Sequence, residues 1–483
     1  MGPHNIESRT EEAWSALTSG SAEPSARKRA LANTTGRSNI FESNLPVTDI
    51  AVACVSAALL AGSELGALRA SVVTGTDVSP ADVSVDQGHV AAAVTSERHF
   101  RSEGRSPLGS FAPLSRFWRA KDGWVRTHAN YRWHKAALLS ALDCPDDPDA
   151  VATTIATMCA DAVEDRVFSN GGIAAMIRST AVWRTHPQGA AVAAEPLIAH
   201  QCVGNAPPRA DDSTQSVVAL NLPATGIRVL DMTRVIAGPV CTRFLGAMGA
   251  DVLRIDPPDH PDIKAGSRGD TLFSKRSAPL DLTDPLAIGR LHQVLDRADV
   301  LVAGYRPGSL DRFGLGPDEL AQRHPGLVVC YICAWGHTGP WSHRRGFDSV
   351  VQGPTGLAMA ESRDGGETPG ALPCQLLDHG TGYLTAAAVL DGLIRQRTGG
   401  GTHFRRLSLA RTAHWLTSAP NRAADPGAGN DAAAPDESDW LITYQTPDGP
   451  VTAVTPPGSI GGASLSWSGA PTAYLSDHLT WMS

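Results

Sequence analysis

The chain has 483 residues, of which 42% are hydrophobic and 19% are charged, and its formal net charge is −8, from 41 Lys+Arg and 49 Asp+Glu. This length predicts about three folding units. The mild acidity argues against a protein that acts on the phosphates of DNA or RNA, but it leaves room for a local basic pocket that binds a small phosphorylated ligand.

Membrane insertion, secretion and metal binding are not indicated by the sequence. The most apolar early stretch, residues 50–62, is too short to span a bilayer, and no basic segment leads into an apolar one at the N-terminus. One Cys-x-x-Cys pair, Cys330 and Cys333, occurs in a strand-like context without further zinc ligands. We therefore expect a cytoplasmic protein with no membrane contact, no metal site and buried reduced thiols.

The N-terminal half predicts a disordered start followed by a small α+β region. Residues 1–45 are rich in Ser, Thr, Ala, Glu and Arg and are expected to form a poorly ordered arm. Residues 46–203 form the predicted α+β region, and 204–220 form a linker. Within the region we predict helices at 46–75, 87–100, 131–143, 148–164 and 171–178, and a hairpin at 117–128.

The C-terminal half alternates between strands and helices. Between residues 221 and 423 this alternation predicts an α/β domain with an open, doubly wound parallel sheet, Rossmann-like in organisation. Residues 424–438 read as a linker, and 439–483 as a returning tail with two short strands. The predicted strands are 226–234, 251–258, 277–282, 299–305 and 327–335, and the predicted helices are 240–250, 286–298, 317–324 and 379–397.

A degenerate internal repeat links the two halves. Asp378 begins a long Ala/Leu helix that is followed by a turn and by RRLSLARTAHWL (405–416). Asp49 likewise begins an Ala/Leu helix that is followed by a turn and by ADVSVDQGHVAAAV (81–94). Because identities are few, common ancestry of the two blocks is a hypothesis, and Asp49 is either a relic or a helix cap.

The loops after the predicted strands carry cations and one helix start. TRVIAGP (233–239) leads into a helix whose free N–H groups would face an anion, and the segments 275–276, 305–312 and 343–348 add Lys and Arg. Ligands of open α/β sheets bind beyond the carboxyl ends of the strands, so this pattern favours a phosphate or nucleotide site. The alternative is a solvated charged rim. No dinucleotide glycine motif, Walker lysine or nucleophile elbow is present.

A specific resemblance begins at residue 226, with GIRVLDMTRVIAGPVCTRFLGAMGADVLRIDPP. It is followed in order by KRSAPLDL, ADVLVAGYRPGSLDRFGLG, HPGLVVCYICAWGHTGP and GFDSVVQGPTGLA, and it covers about 226 to 416. These blocks resemble the family III CoA-transferases, a group that includes formyl-CoA transferase, carnitine CoA-transferase and α-methylacyl-CoA racemase. FWRAKDGWVRTHANYRWHKAALLSALDCP and GGIAAMIRSTAVWRTHPQG resemble the family's small domain, although here they precede the α/β domain.

The resemblance implies transfer of CoA between an acyl-CoA thioester and a carboxylic acid through an aspartyl-CoA intermediate. The family's nucleophile falls on Asp378, and Asp348 matches a supporting acidic position. Gly380 and Gly382 would offer backbone N–H donors to an oxyanion. A purely structural alternative makes Asp378 the cap of its helix. The residues that match the family's CoA contacts are Val235, Ile236, Leu272, Lys275, Gly304, Tyr305, Arg306, Arg312 and Arg345.

Three functions remain open on the sequence alone. Besides CoA transfer, the racemases of the family suggest 2-methylacyl-CoA epimerisation, for which His337, His324 and His379 are the candidates for a second acid/base group. The permuted domain order and the missing counterpart of the family's glycine-rich loop suggest a non-catalytic CoA-binding scaffold. CoA is expected as a substrate rather than as a tightly bound cofactor, and the family implies a homodimer with interlocked chains.

Overall fold

The structure is a computed structural model that describes residues 3–20, 29–102, 111–210, 222–263, 269–418 and 437–482. The helices are α1 Pro3–Thr18, α2 Val47–Thr74, α3 Gln87–Ala93, α4 Ser96–His99, α5 Arg132–Leu142, α6 Pro148–Ala156, α7 Ala160–Ser169, α8 Thr180–Thr185, α9 Pro187–Ala194, α10 Ala237–Ala247, α11 Pro285–Leu295, α12 Pro317–Arg323, α13 Asp348–Val351, α14 Leu357–Ala360, α15 Leu376–Gly399 and α16 Leu409–Ser418. The strands are β1 Ala32–Thr35, β2 Val83–Asp86, β3 Arg101–Ser102, β4 Phe117–Arg119, β5 Trp124–Thr127, β6 Ala174–Met176, β7 Ala199–Val203, β8 Arg228–Met232, β9 Asp251–Asp256, β10 Arg276–Pro279, β11 Val300–Ala303, β12 Val328–Cys333, β13 Thr402–Ser408, β14 Leu441–Thr446, β15 Gly449–Val454, β16 Ser459–Ile460 and β17 Ala463–Ser464.

The main sheet has seven strands in the order β10-β9-β8-β11-β12-β13-β7. Neighbouring strands are parallel throughout, except that β7 runs antiparallel to β13 at the edge. The inner strands are buried on both faces, which explains their continuous apolar runs. Because the chain moves outward from β8 to β10 and then returns to β11, a ligand crevice is expected between β8 and β11. The predicted α/β sheet is thus confirmed.

Helix α15 is the central helix, and 20 of its 24 residues are buried. It packs against α10 and α2, and small residues allow the close approach. A Cβ added at Gly382 would lie 2.5 Å from the backbone oxygen of Ala237 on α10. Near its C-terminal end, Asp391 pairs with Arg405 of β13 at 2.6 Å, with both side chains fully buried.

Helix α2 is longer than the apolar stretch noted in the sequence. Its 28 residues are long and apolar enough to cross a membrane, but 89% of its most apolar window is buried inside the protein. It packs along α15 and forms part of the main core. These properties are those of a core helix.

The two repeat blocks share an architecture as well as a pattern. Each consists of a long helix, a strand and a second helix, namely α2–β2–α3 and α15–β13–α16. The strand of each block lies between a parallel and an antiparallel neighbour. Asp49 and Asp378 both occupy the third position of their helix.

The prediction that residues 1–45 form a poorly ordered arm is wrong, because this segment contains helix α1 and strand β1. Trp14 and Leu17 on α1 are buried in the core that α2 shares, and Arg405 donates to the backbone oxygen of Leu17 at 2.8 Å. The polar composition belongs to the solvent face of the helix. Composition missed the segment because its apolar positions are few and gain their stability from tertiary contact.

Two helix predictions in the N-terminal half are also wrong. The predicted helix at 171–178 contains strand β6, which pairs antiparallel with β5. The predicted helix at 148–164 is two helices, α6 and α7, and α7 begins after Cys159. The hairpin predicted at 117–128 is present as β4 and β5. Helices α5, α6 and α7 pack on this small sheet around their own apolar cluster.

The N-terminal half and the tail are both joined to the rest by strand pairing. β7 adds an edge to the main sheet, β16 pairs with β2, and β15 pairs with β3. The two short strands predicted in the tail are β14 and β15. The linker predicted at 424–438 lies outside the described residues up to residue 436, and so does most of the one predicted at 204–220.

Replacing Gly382 with Ala should destabilise the protein by about 1–3 kcal/mol, because the added methyl group would force α15 away from α10. Gly399, in the same helix, has open space around the position of a Cβ. Gly399→Ala should therefore be neutral or slightly stabilising. Urea unfolding of both variants measures the difference, and equal midpoints would contradict the packing.

Candidate functional site

A cavity of about 500 Å³ lies at the carboxyl edge of the main sheet. The loops that follow β8, β9, β10, β11 and β12 line it, together with the start of α16 and the first turn of α15. The first turn of α5 closes the remaining side with residues of the N-terminal half. The lining includes Met232, Ile255, Leu280, Gly304, Ile332, Ala334, Gly346 and Leu409.

Asp378 reaches this cavity from the first turn of α15. The helix is capped at Gln375 without a side-chain bond, so Asp378 is not the cap. Its backbone N–H donates to Oδ2 of Asp348 at 3.0 Å. Among the described residues, no group donates to the carboxylate of Asp378 itself. Only 5% of the surface of Asp378 is exposed, but the residue lines the cavity. Its carboxylate is therefore available to a ligand.

Asp348 lies behind the cavity and is fully buried. Its carboxylate accepts bonds from the backbone of α15 and from Nε2 of Gln352, the latter at 2.5 Å. Gln352 in turn accepts the N–H of Leu372 at 2.9 Å. Asp348 therefore ties the start of α15 to α13 and holds Asp378 in place.

The pKa values of Asp378 and Asp348 both lie above the usual value of an aspartate. Burial, followed by the charges of Asp348 and Glu97, raises the pKa of Asp378 well above its usual value. Burial raises the pKa of Asp348 to about 6, against the hydrogen bonds that it accepts. Both carboxylates are thus harder to ionise than an exposed aspartate.

Glu97, on α4 of the N-terminal half, reaches the residue after the aspartate. Its Oε2 lies 3.1 Å from Nε2 of His379, and His379 is 1% exposed. Although burial opposes it, the contact with His379 lowers the pKa of Glu97. The N-terminal half therefore contributes an anion beside the first turn of α15.

Three arginines at the cavity have no carboxylate partner among the described residues: Arg306, Arg312 and Arg345. Burial and the nearby charge of Arg345 lower the pKa of Arg306, so these two cations repel each other. Arg344 also lines the cavity, but it is paired with Asp165 at 3.3 Å. A polyanionic ligand would relieve the repulsion, because no carboxylate in the described ranges pairs with these arginines.

The backbone of the loop that leads into α10 is strained at Val235. Val235 has a φ of 67°, which is unusual for a β-branched residue. Its N–H donates to Oδ2 of Asp262 at 2.9 Å, which holds the conformation. A Cβ added at Gly238 would lie 2.2 Å from Thr233, so the turn requires glycine there. The free N–H groups of Ala237 and Gly238 lie beside the cavity.

The model of CoA-transferase family III matches residues 225–459. This matched segment contains β8 to β15, the cavity arginines and Asp378.

Curated relatives match the family III region. The chain is 33% identical over 195 residues to a probable fatty acyl-CoA transferase of Mycobacterium tuberculosis, covering 37% of this chain and 48% of that protein. It is 36% identical over 196 residues to the succinyl-CoA–L-malate CoA-transferase beta subunit of Chloroflexus aurantiacus, covering 38% and 48%. The chain spans about half the length of the curated relatives it matches.

Solved structures match a similar share of the chain. A crystal structure of Rv3272 from M. tuberculosis is 30% identical, covers 41% of this chain and 58% of its own, and aligns with a TM-score of 0.38. A CaiB/BaiF family protein from Brucella suis is 25% identical, covers 48% and 65%, and has a TM-score of 0.37.

Seven of the predicted site residues line the cavity together: Val235, Gly304, Tyr305, Arg306, Arg312, Arg345 and Asp378. Asp348 lies behind Asp378, as described. The other three predicted contacts do not line it: Ile236 caps α10 and packs against the main core, Leu272 is 1% exposed, and Lys275 is buried.

Lys275 was predicted to contact CoA, but its ammonium group forms an ion pair inside the protein. Its ammonium lies 2.9 Å from Oδ2 of Asp231, and both side chains are fully buried. Burial would raise the pKa of Asp231, but Lys275 and Arg254 lower it, so the carboxylate stays charged. Lys275 therefore supports α10 from beneath instead of contacting a ligand.

The predicted glycine donors and histidines also lie elsewhere. Gly380 and Gly382 are in the body of α15, where backbone N–H groups bond within the helix, and Gly382 packs against α10. His324 pairs with His292, and His379 contacts Glu97. Neither of these, nor His337, is among the cavity-lining residues.

Sequence reasoning missed the wall that the N-terminal half supplies. Tyr131, Trp133 and His134 line the cavity from the start of α5, opposite the strand ends. Burial, with the charges of Arg345 and Arg234, lowers the pKa of His134 to about 4, so it is neutral at neutral pH. The aromatic cluster NYRWH just before a predicted helix was the available signal.

Lys275→Met should lower the free energy of unfolding by about 3–5 kcal/mol, because it leaves Asp231 buried without its ammonium partner. Lys121 is exposed on the β4–β5 turn, so Lys121→Met should change stability by no more than about 0.5 kcal/mol. Urea unfolding of both variants checks the assignment. Equal stability would mean that the buried pair is unimportant.

Proposed function

We propose that the protein transfers CoA from an acyl-CoA to a carboxylic acid. The observation that supports it is that one cavity holds the carboxylate of Asp378, which accepts no hydrogen bond from the described residues, and three arginines that have no carboxylate partner among them. The arginines suit the phosphates of CoA, and the carboxylate suits attack on the thioester. CoA would enter and leave as a substrate, so the proposal needs no tightly bound cofactor.

The proposed reaction has two halves with Asp378 as the nucleophile. A carboxylate oxygen attacks the thioester carbonyl, the carbon–sulfur bond breaks, and CoA leaves as a thiolate from a mixed anhydride. The thiolate then attacks the aspartyl carbonyl, which releases the donor acid and forms aspartyl-CoA. The acceptor carboxylate attacks this thioester, and the returning thiolate frees Asp378 and forms the new acyl-CoA. One difficult exchange is thereby divided into easier steps.

The surroundings of Asp378 suit such a nucleophile. The side chain accepts no hydrogen bond from the described residues, so its lone pairs are not already used. Burial beside Asp348 and Glu97 makes the anion less stable and hence more reactive once formed. In this proposal Asp348 acts as a positioning residue, because it bonds the backbone of Asp378 and does not line the cavity.

Asp378→Asn should reduce CoA transfer at least about a thousandfold while leaving CoA binding nearly unchanged, because the amide keeps the shape but cannot attack the thioester. Asp281→Asn, which alters another acid of the same cavity, should keep most of the activity. Transfer is measured by the appearance of the acceptor acyl-CoA, and binding by calorimetry. Normal turnover by Asp378→Asn would contradict the proposal.

Glu97→Gln should move the acidic limb of the pH–rate profile to lower pH. Asp378 must be ionised to attack, so its raised pKa makes the rate rise with pH as the group ionises. Removing the charge of Glu97 lowers that pKa, while Asp348 remains to hold it above the usual value. Glu319→Gln, on the exposed face of α12, should leave the profile unchanged. A limb that does not move would show that Glu97 does not influence the nucleophile.

A further inference from the structure

Asp262, in the loop after β9, links groups from two walls of the cavity. Its side chain is 5% exposed and is not among the groups that line the cavity. Its carboxylate nevertheless accepts bonds from two residues that do: Oδ2 accepts the backbone N–H of Val235 at 2.9 Å, and Oδ1 accepts the hydroxyl of Tyr131 at 2.6 Å. One carboxylate therefore joins the entry into α10 to the wall that the N-terminal half supplies.

Three segments that are distant in the chain meet at Asp262. Val235 lies just before α10, and Tyr131 lies just before α5 in the N-terminal half. The hydroxyl of Tyr474, in the tail, accepts the backbone N–H of Asp262 at 3.1 Å. Because no local pattern connects these segments, their relative positions depend on such bonds.

The carboxylate of Asp262 is held in place by a buried cation. Nη2 of Arg254 donates to Oδ2 of Asp262 at 2.8 Å, and Arg254 is fully buried. Burial would raise the pKa of Asp262, but the charges of Arg254 and Arg234 bring it below its usual value. Asp262 is therefore ionised at neutral pH, and both of its oxygens are free to accept.

The bond to Val235 opposes a local preference of the backbone. Val235 has a φ of 67°, in the left-handed region that a β-branched residue rarely adopts. Such a conformation persists only where the surroundings hold it. The acceptor of its N–H is Asp262, so this side chain supplies that restraint.

The first turn of α10 depends on the conformation of Val235. Ala237 and Gly238 follow it closely and line the cavity. The same turn packs against α15, since a Cβ added at Gly382, one helical turn after Asp378, would lie 2.5 Å from the backbone oxygen of Ala237. A relaxed backbone at Val235 would therefore move the cavity wall that lies beside Asp378.

We propose that Asp262 is a positioning residue, which keeps Val235 in its left-handed conformation and holds Tyr131 against the entry into α10. It acts through these two residues and does not touch the ligand. The kinetic consequence rests on the proposed function, because it is measured as CoA transfer. The conformational consequence does not, because it is measured on the backbone of Val235.

Asp262→Ala and Asp262→Asn test this role on the full chain. Asp262→Ala removes both acceptors and should lower kcat/KM for CoA transfer at least about a hundredfold, because it displaces a wall of the site. In Asp262→Asn the amide oxygen can still accept from Val235 and the amide nitrogen can donate to the oxygen of Tyr131, so the loss should be no more than about tenfold. Equal losses would overturn the proposal, because they would assign the effect to the charge that faces Arg254.

A control and a rescue accompany these variants. Asp259 is exposed in the same loop and lies outside the cavity lining, so Asp259→Ala should keep the wild-type kcat/KM. Glycine adopts a positive φ without the strain of a β-branched residue, so Asp262→Ala should cost at least about tenfold less in a Val235→Gly background than in the wild type. An equal cost in both backgrounds would contradict the proposal.

Amide hydrogen exchange of Val235 gives a readout that needs no turnover. The N–H should exchange at least about tenfold faster in Asp262→Ala than in the wild type, and about as slowly as in the wild type in Asp262→Asn. This pattern in a protein that transfers no CoA would refute the proposed function and leave the positioning role intact. Unchanged exchange in Asp262→Ala would overturn the role itself.

Tyr131→Phe keeps the role testable if Asp262→Ala does not fold. It removes one hydroxyl from the link between the walls and should lower kcat/KM about tenfold without unfolding the protein. Tyr444→Phe, which removes a tail hydroxyl that donates to the backbone oxygen of Trp467 at 3.4 Å, should have no effect. An unchanged kcat/KM in Tyr131→Phe would also overturn the proposal.

Discussion

The bond from the backbone N–H of Asp378 to the carboxylate of Asp348, at 3.0 Å, is the interaction on which the site depends. The first N–H groups of a helix need acceptors from outside the helix, and the side chain of a Ser, Thr, Asp or Asn at the N-cap often supplies one. Here the acceptor is Asp348 of α13, so the side chain of Asp378 does not serve as a helix cap. The first turn of a buried helix can thus present an unbonded carboxylate to a cavity.

Burial of charge organises the surroundings of that turn. Asp231 and Lys275 form a closed pair beneath α10, and Asp391 and Arg405 form another beside α15. These pairs neutralise charge inside the protein, whereas Arg306 and Arg345 at the cavity are left to repel each other. The buried cations therefore stabilise the fold, whereas the cavity arginines have charge that a bound anion could neutralise.

The N-terminal half completes the site instead of forming an appendage. Glu97 reaches the residue beside Asp378, and the first turn of α5 forms one wall of the cavity. α2 packs on α15, so the two repeat blocks form one core. One chain therefore brings both walls of the cavity together.

The sequence by itself determined the main sheet and the ends of its strands. Buried parallel strands carry continuous apolar runs, and their carboxyl ends meet at one edge, so Arg306, Arg312 and Arg345 could be placed in one site. Asp378 was assigned to that site by the family resemblance, not by the position of the strands. Only the tertiary structure decided that Asp348 is a backbone acceptor, that Lys275 is buried, and that Trp133 lines the cavity. Order in α1 and the strand β6 likewise depended on partners distant in the chain. The local sequence pattern shows which face of a helix or strand is apolar. It does not show which residue, distant in the chain, will pair with a given charge, accept a given hydrogen bond or cover a given surface.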